Sequence, residues 1–108
     1  MADATGVRQD SSRQQFPGVF ENIWRVTATI NADSLIDGAG DSDAVAVPGV
    51  RLGDMVIGIS LNVDIAGITV SAYVSASNVV TVRFQNESGG TVDLASTTIK
   101  LVVARPAF

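Results

Sequence analysis

The sequence predicts an all-β fold, a single β-sandwich, on three observations. From Met55 to Val82 apolar and small polar side chains alternate with period two, the spacing of half-buried strands whose successive side chains face opposite ways. Turn residues recur at intervals of about eight to twelve residues, as sandwiches and small barrels require. No window combines helical apolar spacing over three turns with a cap at each end. The expected architecture is jelly-roll-like, with about six to seven or more strands and an extended N-terminal arm.

Residues 1–22 form the expected arm and residues 23–108 the sandwich domain. Met1 to Gln15 is rich in Gln, Ser and mixed charge with almost no large apolar groups, a composition that cannot bury enough surface to order itself alone. Phe16, Pro17, Gly18, Val19 and Phe20 follow as a turn-like break carrying two aromatic anchors, Phe16 and Phe20. Such a segment is either a loose terminus or an arm that binds a partner.

The strand pattern starts at Trp24, with Trp24, Val26, Ala28 and Ile30 on one face and Arg25, Thr27 and Thr29 on the other. Asn31 to Asp43, rich in Asp and Gly, reads as a loop, and Ala44 to Val47 as a short strand stopped by Pro48 and Gly49. The stretch from Pro48 to Asp54 is punctuated as a tight connection into Met55, Ile57, Ile59 and Leu61. Ile68, Val70, Ala72, Val74 and Ala76 make the next apolar face. A turn at Ser77 and Asn78 leads to Val80, Val82 and Phe84, so these two strands are expected as a hairpin. Gln85 to Thr91 is a turn, and Thr97 to Ala104 the last strand, with Ile99, Leu101 and Val103 inward.

At 108 residues the chain is one domain by length and buries roughly two-thirds of the surface that its unfolded form exposes. It contains no cysteine and no histidine, which excludes disulfides, thiolate metal sites and the commonest general base. Seven basic against eleven acidic side chains give a net charge of -4, and the cations are scattered, which argues against nucleic acid because phosphate binding needs clustered positive charge. The uncharged run from Ile65 to Val82 has the length of a membrane span, but its Ser, Thr and Asn side chains would each need a partner in lipid; a strand pair in water is expected and no membrane partner. The amino terminus lacks the apolar core of a secretory signal, so synthesis in a cytoplasm is expected.

Candidate chemistry is sparse. Asp33, Asp37, Asp41 and Asp43 could offer oxygen ligands to a hard cation, but they lack the tight alternation and terminal Glu of an EF-hand, and a solvated acidic loop is expected, with no metal and no cofactor. Ten serines are present without a histidine, and Lys100 lies mid-strand, so no nucleophile has an evident base. The two glutamates, Glu21 and Glu87, flank strands in turns and do not pair as in a glycosidase. No catalytic residue and no enzyme are expected. Trp24 belongs to the apolar face of its strand.

The polar face is more informative. Solvated strands usually display Lys, Glu or Arg, whereas here the outward positions are Thr69, Ser71, Tyr73, Ser75 and Thr81, a neutral surface suited to being covered. Charge-free strand edges invite pairing with another chain, and interface centres are depleted in charge. The expected interface residues are Phe16, Phe20, Thr69, Ser71, Tyr73 and Ser75.

Three segments carry a resemblance: Val47-Pro48-Gly49-Val50-Arg51-Leu52-Gly53-Asp54-Met55-Val56, then Val74 to Asn86 with its Val-Thr-Val-Arg-Phe-x-Asn strand, then Gly89-Gly90-Thr91-Val92-Asp93. This pattern resembles that of small virion proteins of tailed bacteriophages, capsid decoration (cement) proteins and head-fibre or tail-associated proteins, over a little more than half of the chain. The resemblance implies a β-sandwich that assembles, commonly as a homotrimer, on the capsid surface of a virion. Its partners would be the major capsid protein and further copies of itself, with the arm as a tether over a neighbouring subunit. It supplies no catalytic residue. The alternative is a receptor- or glycan-binding virion appendage in which Tyr73 and the acidic loop face outward.

Overall fold

A computed structural model of the chain describes residues 4–12 and 19–108. The described residues form seven strands: β1 (Thr5–Ser12), β2 (Phe20–Ile30), β3 (Gly40–Ala46), β4 (Met55–Leu61), β5 (Ile68–Ala76), β6 (Val79–Asn86) and β7 (Thr97–Pro106). They make two antiparallel sheets, one ordered β1-β2-β7-β4 and the other β3-β6-β5. No helix among the described residues is long and apolar enough to cross a membrane.

Alternation places the core. In β2 the residues Trp24, Val26, Ala28 and Ile30 are buried, and β7 opposes them with Ile99, Leu101 and Val103. The second sheet supplies Val45 from β3 and Val80, Val82 and Phe84 from β6, all fully buried. These side chains from the two inner faces join one apolar cluster, so the sheets pack face to face. Complete burial of a side chain such as Phe84 or Leu101 stabilises the fold by about 1.5–3 kcal/mol.

The chain changes sheet at most of its steps, from β2 to β3, β3 to β4, β4 to β5 and β6 to β7. The exceptions are β1 and β2, neighbours in one sheet, and the hairpin of β5 and β6, closed at Ser77 and Asn78. Asn78 takes a φ of 68°, which Asn tolerates better than most residues and which a two-residue hairpin turn needs.

Two segments differ from the sequence reading. Thr5–Ser12, within the expected arm, is an edge strand whose register with β2 runs from Thr5 opposite Thr29 to Ser12 opposite Ile23, and β2 itself begins at Phe20. Side-chain composition did not disclose β1 because backbone ladder bonds are nearly blind to sequence; among the described side chains of this strand Val7 packs against the core, joined by Ala4 just before it. The Ala4 amide also donates to the Ala44 carbonyl of β3 at 3.0 Å, tying the strand's root to the second sheet. Asp41 and Asp43, read as part of a solvated loop, lie in β3 on its inward side and are buried. Asp41 accepts a hydrogen bond from the Asp33 amide at 3.3 Å.

Candidate interaction surface

The outward face of the β3-β6-β5 sheet is built in cross-strand rows. Gly40, Gln85 and Thr69 make the first, Ser42, Arg83 and Ser71 the second, Ala44, Thr81 and Tyr73 the third. Each row alternates with one of buried side chains, because the strands pleat. Thr69, Ser71, Tyr73 and Ser75 therefore point away from the core together, all exposed, with Tyr73 at 53%. Small side chains dominate, so the surface is low apart from the Tyr73 ring.

The face contains one cation that the reading of β5 alone left out. Arg83 lies at its centre and donates to the Ser42 hydroxyl at 3.1 Å and to Gln85 Oε1 at 3.3 Å. Its guanidinium occupies the space over Gly40, where a Cβ would collide with it. Gln85 in turn donates to the Gly38 carbonyl at 3.1 Å and to Glu87 at 3.0 Å. Across the sheet the Thr81 hydroxyl donates to the Ser75 hydroxyl at 2.7 Å. Arg83 is thus held flat by its neighbours, and the face remains broad and level.

Of the six expected interface residues, four share this face. Phe20 does not: it is half-buried at the start of β2, in the other sheet, opposite Pro106. Phe16 lies outside the described residues. Strand β5, which carries the four, forms one edge of its sheet and contains no charged residue over nine positions. Among the described residues, no group of three or more Asp, Glu, His or Cys side chains is arranged to hold a metal ion.

The motif segments do a different job. In the segment Pro48 to Asp54, Asp54 accepts two hydrogen bonds from Arg105 of β7, from Nε at 3.0 Å and Nη2 at 2.9 Å. It also accepts the Arg51 amide at 3.0 Å. Arg105 donates further to the Gly49 carbonyl at 2.8 Å and lies 5.0 Å from the centre of the Trp24 ring, within cation–π range. The Asp54 hydrogen bonds raise the Arg105 pKa above its ordinary value, so the guanidinium stays charged. Asn78 completes the clip by accepting the Gly49 amide at 2.9 Å. Turn 47–54, the β5–β6 hairpin tip and β7 are locked together at one end of the molecule.

Asn86, which ends the Val-Thr-Val-Arg-Phe-x-Asn strand, pins the opposite end. Its side chain is fully buried, donates to the Leu35 and Gly90 carbonyls, each at 2.8 Å, and accepts the Ser88 amide and hydroxyl at 3.0 and 2.7 Å. Every hydrogen-bonding site of the amide nitrogen and two of the oxygen are used. No protein-family model matches the chain, and neither a curated protein nor a solved structure matches it.

Proposed function

We propose that the chain is a structural protein of a tailed-bacteriophage virion, a capsid decoration protein that binds across adjacent capsid subunits and adheres through area rather than chemistry. The supporting observation is the level, small-residue face of the β3-β6-β5 sheet, ending in the charge-free edge strand β5. Edges of this kind persist mainly where a partner covers them. Many weak contacts repeated over a lattice add to firm attachment without any single strong one. The partners in this reading are the major capsid protein and further copies of the chain, as a homotrimer on the capsid surface, and the fold is a jelly-roll-type winding, which the repeated change of sheet between successive strands supports.

The test is co-sedimentation of the purified chain with undecorated capsids of its own phage. Saturable binding at a stoichiometry matching the capsid lattice is expected. Ser71→Lys sets a second cation beside Arg83 on the edge strand of the face and should abolish that binding while the melting temperature stays unchanged. Full binding by the variant removes this face from the mechanism.

A second reading, a receptor- or glycan-binding appendage, is favoured by one observation, the Tyr73 ring exposed among hydroxyl side chains. It predicts only a few copies per particle, at one vertex or on the tail, and saccharide binding lost in Tyr73→Ala.

A further inference from the structure

The outward face of the other sheet has the opposite character. Arg8, Thr27 and Lys100 fall in one cross-strand row, continued by Ser60 of β4, and Arg25, Val102 and Gly58 fall in the next. Thr27 and Gly58 keep the floor low, while Arg8, Arg25 and Lys100 are exposed around it. The result is a concavity of about 390 Å³ lined by these three cations with Thr27 and Val102. Neighbouring strands are spaced by about 4.8 Å, so Arg8 and Lys100 rise about 10 Å apart at the backbone, a gap that a carboxylate can bridge. Asp10 of β1 stands opposite Arg25 in the register. Three of the chain's seven basic side chains are gathered here although its net charge is -4.

The compensating charge is concentrated elsewhere. Loops 31–39, 62–67 and 87–96 meet at one end of the molecule, where the Leu35 and Val92 backbones bond to each other at 2.8 Å in both directions and the Gly89 amide bonds Asp37 at 3.1 Å. These loops carry Asp33, Asp37, Asp64, Glu87 and Asp93, all exposed, and not one Lys or Arg. The acidic loop end and the basic saddle on the outward face of the β1-β2-β7-β4 sheet are electrostatically complementary between copies.

We propose that the basic saddle of Arg8, Arg25 and Lys100 is the docking site for the acidic loop end of a second copy of this chain. The contact is heterologous, tip to saddle, so it closes into a ring if the rotation fits and extends into a filament if it does not. It presupposes the self-association proposed above and adds which surfaces meet. Complementary charge steers such an encounter and fixes its register.

Sedimentation velocity on the full chain tests this, at about 50 mM and about 500 mM NaCl, since exposed charges are largely screened at the higher salt. The wild type should associate at low salt and dissociate at least about tenfold more readily at high salt. Arg8→Gln/Lys100→Gln, which empties the saddle, and Glu87→Gln/Asp93→Asn, which empties the tip, should each associate at least about tenfold more weakly than the wild type with unchanged circular dichroism. Mixed in equal amounts they should form a one-to-one heterodimer that grows no further, because one variant retains a sound saddle and the other a sound tip. Association of either variant at wild-type strength, or a mixture that stays monomeric, overturns the proposal. If Ser71→Lys alone then dissolves the oligomer, self-assembly stands on the other face. A wild type that is monomeric at both salts also overturns it, and co-sedimentation with capsids judges the decoration reading separately. A saddle variant that self-associates normally yet no longer binds capsids would assign the saddle to the shell and not to a second copy.

Discussion

Replacing Asp54 with Ala should destabilise the fold by about 3 kcal/mol, and the figure follows from the clip's geometry. Truncating one member of a buried ion pair costs roughly 3–5 kcal/mol, because the other charge is left without its partner. The Asp54 side chain is 2% exposed and that of Arg105 16%. The freed guanidinium can therefore reach some water, and it keeps its bond to the Gly49 carbonyl and its place over Trp24. Both effects favour the lower end of that range. In a domain of this size about 3 kcal/mol lowers the melting temperature by roughly 10–20 °C. Urea unfolding with an unchanged m value is the assay, since a constant slope confines the change to stability. Arg105→Lys keeps the charge but not the planar fork, so it should cost about 1–2 kcal/mol. The cycle of Asp54→Ala, Arg105→Ala and the double variant should give a coupling of about 2 kcal/mol. A loss below about 1 kcal/mol for Asp54→Ala, or no coupling, would refute the clip as a holding device. The pH dependence has a definite sign: Asp54 raises the Arg105 pKa, so this cation's stabilisation is complete below the ordinary arginine value and fades only above it. Loss of the wild-type advantage over Arg105→Lys at mildly alkaline pH contradicts that assignment.

Three further outcomes are expected. Asn86→Ala removes four hydrogen bonds, although the Leu35 carbonyl keeps the Val92 amide and the Gly90 carbonyl the Ser88 hydroxyl, and should cost roughly 1–3 kcal/mol in chemical denaturation; a cost under about 1 kcal/mol would show that water replaces the amide. Gly49→Ala forces a Cβ onto a φ of 100° and should cost about 1 kcal/mol or more, whereas Gly58→Ala, with normal φ and its nearest neighbour at 4.0 Å, should be near neutral. Deleting residues 1–12 removes β1 and opens the edge of β2 to solvent, so a lower melting temperature and concentration-dependent light scattering are expected; a truncated chain that melts like the full one would show that β1 contributes no stability.

The parts of this fold that were legible in the sequence are those where alternation and burial agree. The apolar faces of β2, β6 and β7 could be marked residue by residue, as could the turn at Ser77 and Asn78 and the shared outward direction of Thr69, Ser71, Tyr73 and Ser75. In β4 a register shift between Val56 and Gly58 leaves Met55 and Ile57 exposed and packs Val56, Ile59 and Leu61 against the core, and in β5 Ala76, past a shift after Val74, is exposed. Strand β3 also alternates, but two of its inward positions hold Asp41 and Asp43, and carboxylates at core positions are so rarely buried that the segment reads as a loop. Strand β1 offered no apolar signal because its order comes from the ladder with β2. Arg83 escaped notice as part of the neutral face because it belongs to β6, and only the register with Ser42 and Ser71 brings it to the centre. The Arg105–Asp54 pair is separated by 51 positions, and no spacing rule connects such residues.

The two motif segments bear on how binding and folding divide the molecule. Asp54 and Asn78 fasten one end of the two sheets, Asn86 the other, and neither set reaches the broad outward faces. A side chain committed to a buried pair cannot also be offered to a partner, and a face free of structural pins can change without loss of the fold. Stability and adhesion should therefore separate by position: substitutions at Asp54, Asn78 and Asn86 shift unfolding while whatever folded protein remains binds normally. Substitutions at Ser71, Tyr73, Arg8 or Lys100 shift association and leave unfolding within about 0.5 kcal/mol. A face residue whose replacement costs as much stability as Asn86→Ala would mean that the surface is part of the scaffold, and an adhesive role for it could not then be tested by mutation alone.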